Sequence, residues 1–318
     1  PNYLQLGLSS TNNFRGHSTL NFGLAYTRTA INSLAGEWRT AVQIGQDPSA
    51  STELYQPLDV DSRYFVNPAL YYQTTNSSRF VNGNRQAEYR TGRYGAVLAG
   101  GRELGAWGEA RLGYNWSRGE SEVLIGRHDE PEYDFTNGEL FARLSLDKLN
   151  NISFPSSGAA GSLEFVTSQE SLGSDADYNQ ATASWLSART WGRYSIIGSL
   201  LYETTLDSDA PLESLFTAGG LFRLSGFNYE ELSGQHHGLL RLIAFRRFWD
   251  FALLPIYLGG SLEQGNVWDR TEDIEPGNTI TAGSIFLGLD TLIGPIYFGY
   301  GLAEYGHESL YLYLGKRF

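Results

Sequence analysis

The chain has 318 residues, a formal net charge of −12, and neither cysteine nor methionine. These totals exclude disulfides, thiol nucleophiles and cysteine-based metal sites. The negative charge argues against nucleic acid or anionic lipid as the main partner. Aromatic residues make up 14% of the chain, with 20 Tyr and 7 Trp, and there are 37 Gly against 10 Pro. No apolar run approaches the ~18–20 residues of a membrane-spanning helix. A membrane β-barrel escapes that requirement, because only alternate residues face lipid and aromatic girdles mark both interfaces. The absence of methionine leads us to expect a mature chain or an excised domain. The opening Pro1-Asn2-Tyr3-Leu4 has neither the basic region nor the apolar run of a signal peptide.

The hydrophobic period is two almost throughout. Leu4, Leu6 and Leu8 alternate with Gln5, Gly7 and Ser9, and Leu20, Phe22, Leu24 and Tyr26 with Thr19, Asn21, Gly23 and Ala25. The pattern returns at Leu163 and Phe165 and at Ile296, Phe298, Tyr300 and Leu302. Strands are expected at about 2–10, 18–29, 37–46, 51–58, 64–80, 85–102, 106–117 and 136–147 in the first half. They continue at about 158–170, 176–189, 192–205, 238–249, 254–267, 280–291, 295–303 and 308–318. The segment 51–58 fits a loop as well as a strand. Asn82-Gly83 is a hairpin-turn signal. The total of sixteen is even, as single-chain bacterial barrels require. Short connections at Leu104-Gly105, Thr190-Trp191, Asp250-Phe251 and 292–294 alternate with long polar ones at 118–135, 171–175, 206–237 and 268–279. Short turns on one side and long loops on the other is the outer-membrane pattern. It places the long loops outside the cell and both chain ends in the periplasm. A soluble sandwich would instead bury each apolar face against a second sheet. No domain boundary or internal repeat is visible, so 1–318 reads as one barrel domain.

The connection at 206–237 carries Leu215, Phe216, Leu221, Phe222, Leu224 and Phe227. Apolar side chains cost free energy in water, so this loop is expected to fold back and pack. Its stretch Gly219-Gly220-Leu221-Phe222-Arg223-Leu224-Ser225-Gly226-Phe227 resembles the loop-six motif of the BamA/TamA/two-partner-secretion superfamily of outer-membrane barrels. Three further segments agree in order. Asp147 to Phe154-Pro155-Ser156-Ser157-Gly158 resembles that family's periplasmic turn. Glu263 in Glu263-Gln264-Gly265 resembles its acidic position on the strand after the loop. Leu310, Leu312, Leu314 and Phe318 share one parity and resemble the terminal-strand signal read during barrel assembly. Among members, the tail and the Leu224-Ser225-Gly226-Phe227 variant look closest to patatin-like autotransporters (type Vd, PlpD-like), in which a patatin lipase and a POTRA domain precede the barrel.

The resemblance implies a closed sixteen-stranded antiparallel barrel with loop six folded into its lumen. It also implies that the loop is held by an Arg–acid pair. Here Ser225 stands where the family has Arg, so Arg223–Glu263 is expected, with Arg241 the alternative partner of Glu263. The implied partners are outer-membrane lipid and lipopolysaccharide, the barrel assembly machinery, and a fused or cognate passenger, with a homo-oligomer left open. The implied location is the outer membrane of a Gram-negative bacterium.

Catalytic and cofactor readings find little. There is no Gly-x-Ser-x-Gly elbow and no phosphate loop between a strand and a helix. His17, His128, His236, His237 and His307 all fall in expected loops, and no third ligand accompanies His236-His237 at metal spacing. The acidic residues Asp207, Asp209, Glu213, Glu230, Glu231, Asp269, Glu272, Asp273 and Glu275 read as a solvated rim, or as attractors of divalent cations bridging lipopolysaccharide. No enzyme, cofactor or nucleic-acid role is expected. The functional readings are a translocator or membrane anchor for a passenger, and a diffusion porin or assembly factor.

Overall fold

The computed structural model describes residues 2–14, 18–81, 84–126, 132–251, 254–291 and 293–315. Asn82-Gly83, His17, His128 and Phe318 therefore lie outside the described residues. The chain forms β1 (Asn2–Asn12), β2 (Ser18–Arg28), β3 (Glu37–Gly45), β4 (Ser49–Pro57), β5 (Tyr64–Val81) and β6 (Asn84–Glu103). It continues through β7 (Gly108–Ile125), β8 (Tyr133–Asp147), β9 (Gly158–Ser168), β10 (Tyr178–Trp191) and β11 (Tyr194–Leu206). Within the long connection come β12 (Phe216–Ala218) and β13 (Leu232–Gly234). Then follow β14 (His236–Phe251), β15 (Leu254–Trp268), β16 (Ile280–Thr291), β17 (Gly294–Ala303) and β18 (Glu308–Gly315). Every barrel strand pairs antiparallel with its neighbour, and β18 closes on β1, so sixteen strands form a closed barrel. β12 and β13 form a separate two-stranded ribbon. No helix among the described residues is long and apolar enough to cross a membrane.

Burial is inverted relative to a protein folded in water. On β2, Leu20, Phe22 and Leu24 are 44%, 53% and 44% exposed, while Thr19 and Asn21, alternating with them, are 6% and 1%. The apolar set faces out and the polar set faces the lumen, the arrangement lipid selects. Closure follows from the same solvent, since hydrocarbon offers no partner for an open strand edge.

The expected sixteen strands are present, and 51–58 is a strand, paired with β3 and β5. β7 is longer than expected. Its ladder with β8 continues to Ser121↔Tyr133 inside the stretch read as a loop. There Arg118, Glu120 and Glu122 are exposed while Ser117 and Ser121 are buried. Above the apolar band both faces are polar, so hydropathy alternation vanishes while backbone pairing goes on. The closing seam is short: β1 meets β18 only at Ser9–Asn12 opposite Leu312–Gly315 among the described residues. Among the described residues, Asn2–Leu8 bonds only with β2. Gly315 sits at the end of that seam at φ 99°, and a Cβ there would collide with the Leu8 carbonyl.

Candidate functional site: loop six in the lumen

The loop between β11 and β14 re-enters the barrel. Its apolar residues supply the reason: Ala218, Leu224 and Phe227 are 1%, 0% and 4% exposed and pack with Leu239 and Ala282 of the wall. Gly219 and Gly220 open the turn at the tip, where Gly219 N–H donates to Arg223 O at 2.7 Å and Arg223 N–H to Gly220 O at 3.0 Å. Phe222 and Leu224 both take φ 67°, so the tip is coiled rather than extended.

Ser225 is the fastening point. Its N–H donates to Glu263 Oε2 at 2.8 Å and its hydroxyl to Glu263 Oε1 at 2.7 Å. The same hydroxyl accepts Phe222 N–H at 3.0 Å. Ser261 Oγ donates to Glu263 Oε1 at 2.5 Å. Ser225 and Glu263 are both fully buried. A buried carboxylate is costly unless its lone pairs are satisfied, and three donors satisfy this one.

The Arg223–Glu263 pair is not formed. Arg223 is exposed and its guanidinium donates to Thr217 O at 2.7 Å. That expectation assumed an extended segment, in which residues two apart share a side. The coiled tip removes that relation. Arg241 is the cross-strand neighbour of Glu263, but its donors go to Phe222 O at 2.9 Å and Ser199 Oγ at 3.0 Å. The cation thus holds the loop backbone, and the serine holds the acid.

Gly226 and Phe227 bind the same wall a little further round, at β17 and β18. Gly226 N–H donates to the Tyr311 hydroxyl at 2.8 Å, which donates to Phe227 O at 2.6 Å. Gly226 adopts φ 113°, and a Cβ would lie 2.7 Å from Ala303 N and 2.9 Å from His307 O. No larger residue can come this near the wall. Phe227 stacks on His307 with centroids 4.1 Å apart. Of the terminal-strand residues, Leu310 faces outward at 41% exposure and Leu312 and Leu314 are half-buried on the same parity, while Tyr311 between them points in at 4%.

The 148–157 turn belongs to the same site. Phe154 is 4% exposed and stacks on Tyr257 at 4.1 Å. It also meets Tyr297 at 5.0 Å, and Phe222 from the loop tip meets Tyr297 from another side at 5.6 Å. The Tyr297 hydroxyl donates to Ser153 O at 2.6 Å. Two motif stretches far apart in sequence therefore converge on one ring.

Sequence reading missed several participants. Tyr311, Ser261 and Tyr297 look like ordinary inward residues of a period-two strand, and only the loop's path singles them out. His236 and His237 are not loop residues: they begin β14 at 4% and 0% exposure. His237 Nδ1 bonds Glu203 Oε2 at 2.7 Å, and His236 bridges Thr204 and Thr271. Glu231 is not a rim residue either; it is buried and accepts Asn228 N–H at 2.6 Å. At the loop root, burial raises the Glu213 carboxyl above its ordinary range, opposed by Arg93 and a hydrogen bond from Tyr133. Among the described residues no group of three or more His, Cys, Asp or Glu could hold a metal ion.

Residues 22–318 match the model of the Omp85 superfamily domain. BamA from Haemophilus ducreyi, in a structure lacking POTRA domains 1–3, superposes with a TM-score of 0.78 at 14% identity, covering 98% of this chain and 70% of that one. CdiB from Escherichia coli gives 0.67 at 14% identity, covering 98% and 62%, and CdiB from Acinetobacter baumannii 0.62 at 11%, covering 98% and 59%. The chain thus spans only part of the length of each. A comparison with curated protein sequences gave no match. The sixteen-stranded barrel, the family match and the outward apolar face together make this chain a member of the Omp85 superfamily, a multi-pass barrel of the Gram-negative outer membrane.

Proposed function

We propose that this barrel is the translocator or membrane anchor of a patatin-like autotransporter, acting on a passenger carried by the same polypeptide on the periplasmic side. In this reading 1–318 is the barrel domain, and the POTRA and patatin domains precede it. Chemistry belongs to the passenger, and the barrel itself supplies no catalytic group. Assembly of the barrel draws on the barrel assembly machinery, through Leu310, Leu312, Leu314 and Phe318 of the last strand.

The observation that carries the proposal is the seating of loop six on Glu263, Tyr311 and Tyr297, beside a seam formed by Ser9–Asn12 and Leu312–Gly315. A simple diffusion pore gains nothing from a loop hydrogen-bonded along one side of its lumen. A barrel that must stay shut until a chain engages it does. The deciding experiment fuses a protease-sensitive reporter upstream of Asn2 and exposes intact cells to protease. Digestion marks a translocator, and protection with normal membrane insertion marks an anchor. Steady large single-channel conductance from the unmodified protein would identify a porin and overturn both. A reporter that reaches the surface only when supplied as a separate polypeptide would identify a two-partner pore instead.

A further inference from the structure

The rim that carries the short turns has a charge character of its own. Over the whole chain acidic residues outnumber Lys and Arg by 35 to 23. Where β10, β11 and β14 end, that balance reverses. Arg189, Arg193, Arg246 and Arg247 gather around the lumen mouth at this rim, beside a cleft of about 930 Å3 that Phe154, Phe245 and Tyr257 line from the inside and whose described lining includes no carboxylate. Several arginines elsewhere meet acids, as Arg39 meets Glu53, Arg111 meets Glu109 and Arg143 meets Glu164, and Arg223 and Arg241 at loop six hold backbone and hydroxyl oxygens. Among the described residues Arg189, Arg193 and Arg246 meet none, and Arg246 Nε is buried without an acceptor.

These cations are arranged with aromatic rings. Arg189 lies 5.1 Å from the Trp191 ring centroid and Arg246 lies 5.8 Å from that of Tyr194. Trp191 is the register partner of Tyr194, and Tyr194 is the partner of Arg246, so the cluster crosses three adjacent strands in one row. Both rings are 54% exposed and share the parity of Trp185, Leu200 and Leu240, which face lipid. The same pairing recurs along this rim with Arg102 over Tyr64 and Lys148 over Trp107.

We infer that this arc of cation–aromatic pairs, centred on Arg189, Arg193 and Arg246, binds the phosphate headgroup of an anionic phospholipid in the adjacent leaflet. Guanidinium groups match phosphate with a planar pair of donors. Aromatic side chains settle at headgroup depth, which fixes the ligand as one embedded in the bilayer. The net charge of −12 argues against anionic lipid only if charge is spread evenly. Screening confines each field to roughly 8–10 Å, so the acidic long-loop rim does not act across the bilayer. The inference rests on the reading that the short turns face the periplasm, where the adjacent leaflet offers glycerophospholipid rather than lipopolysaccharide.

The test uses the full protein in nanodiscs of phosphatidylcholine doped with phosphatidylglycerol, with retained lipid counted by native mass spectrometry. Phosphatidylglycerol should be retained over phosphatidylcholine on the order of ten-fold, and the preference should shrink with added salt. The triple variant R189Q/R193Q/R246Q should bring the two lipids to parity, whereas R270Q on the opposite rim should change nothing. If the triple variant loses heat-modifiable migration, R189K/R246K replaces it and should lower the preference in part. Equal retention of both lipids by the unmodified protein would overturn the inference, as would displacement of the lipid by millimolar inorganic phosphate. In parallel nanodiscs doped with both phosphatidylglycerol and lipid A, retention of lipid A in place of phosphatidylglycerol would overturn it by assigning the rim to the other leaflet. A protein that moves no passenger would still show the lipid preference, so failure of the translocator reading leaves this result unchanged.

Discussion

The two halves of the barrel solve the lumen differently. From β9 to β18 the inner wall is covered by loop six and by Phe154, and both apolar core clusters lie there. From β2 to β8 the wall carries polar pairs instead, such as Tyr55 with Glu103 at 2.8 Å, Asn115 with Glu139 at 2.9 Å and Arg39 with Glu53 at 3.5 Å. Pairs that water can reach are worth little individually. Those sealed under the loop are costly to break, because the abandoned partner stays buried. The covered half should therefore hold most of the residue-specific stability, while the open half needs only its strand ladder.

Glu263→Ala attacks the covered half hardest. It leaves Ser225 N–H unpartnered beside Arg241, and a loss of about 3–5 kcal/mol is expected in denaturant titration of the detergent-folded barrel, with a noisier and larger single-channel conductance. Phe154→Ala should cost about 3 kcal/mol, the low end for a buried ring, because water can enter the space. Its double-mutant cycle with Phe222→Ala should show coupling through Tyr297. Ser225→Ala should cost about 1–3 kcal/mol and be strongly non-additive with Glu263→Ala, since both delete the same fastening; additivity would break the comparison. In the open half, Arg39→Gln should cost less than about 1 kcal/mol, and Arg223→Ala, although inside the motif, should leave melting unchanged. The smallest effect belongs to pH. The folded Glu213 carboxyl is raised by burial, so its contribution is complete below the ordinary carboxylate range and fades as pH rises through its folded value. Protease nicking of the loop root should increase over that interval and be flattened by Glu213→Gln.

The same contrast explains what could be read from sequence. Alternation such as Leu20, Phe22 and Leu24 against Thr19, Asn21 and Gly23 is imposed by lipid on one face, so the strand count was legible across both halves. Ser117 to Ser121 was not, because above the apolar band lipid no longer writes the pattern. The loop motif could be recognised because Gly219, Gly220 and Gly226 mark backbone that must coil or approach the wall. The wall residues it touches carry no such mark. Glu263 and Arg241 stand out as charges on a lumen face, and Arg223 does not reach Glu263 because two positive-φ residues, Phe222 and Leu224, redirect the side chains on either side of them.

Tyr297 carries a mechanical consequence. Its hydroxyl is tied to the turn at Ser153, and its ring bears Phe154 on the turn side and Phe222 on the loop side. A domain tethered on the short-turn side that pulls on residues 148–157 must either drag this ring or snap its bond. Dragging it shifts the support under the loop tip. Force applied at one face of the bilayer is thereby delivered to a loop rooted at the other, through three rings and one hydrogen bond, without any strand having to slide.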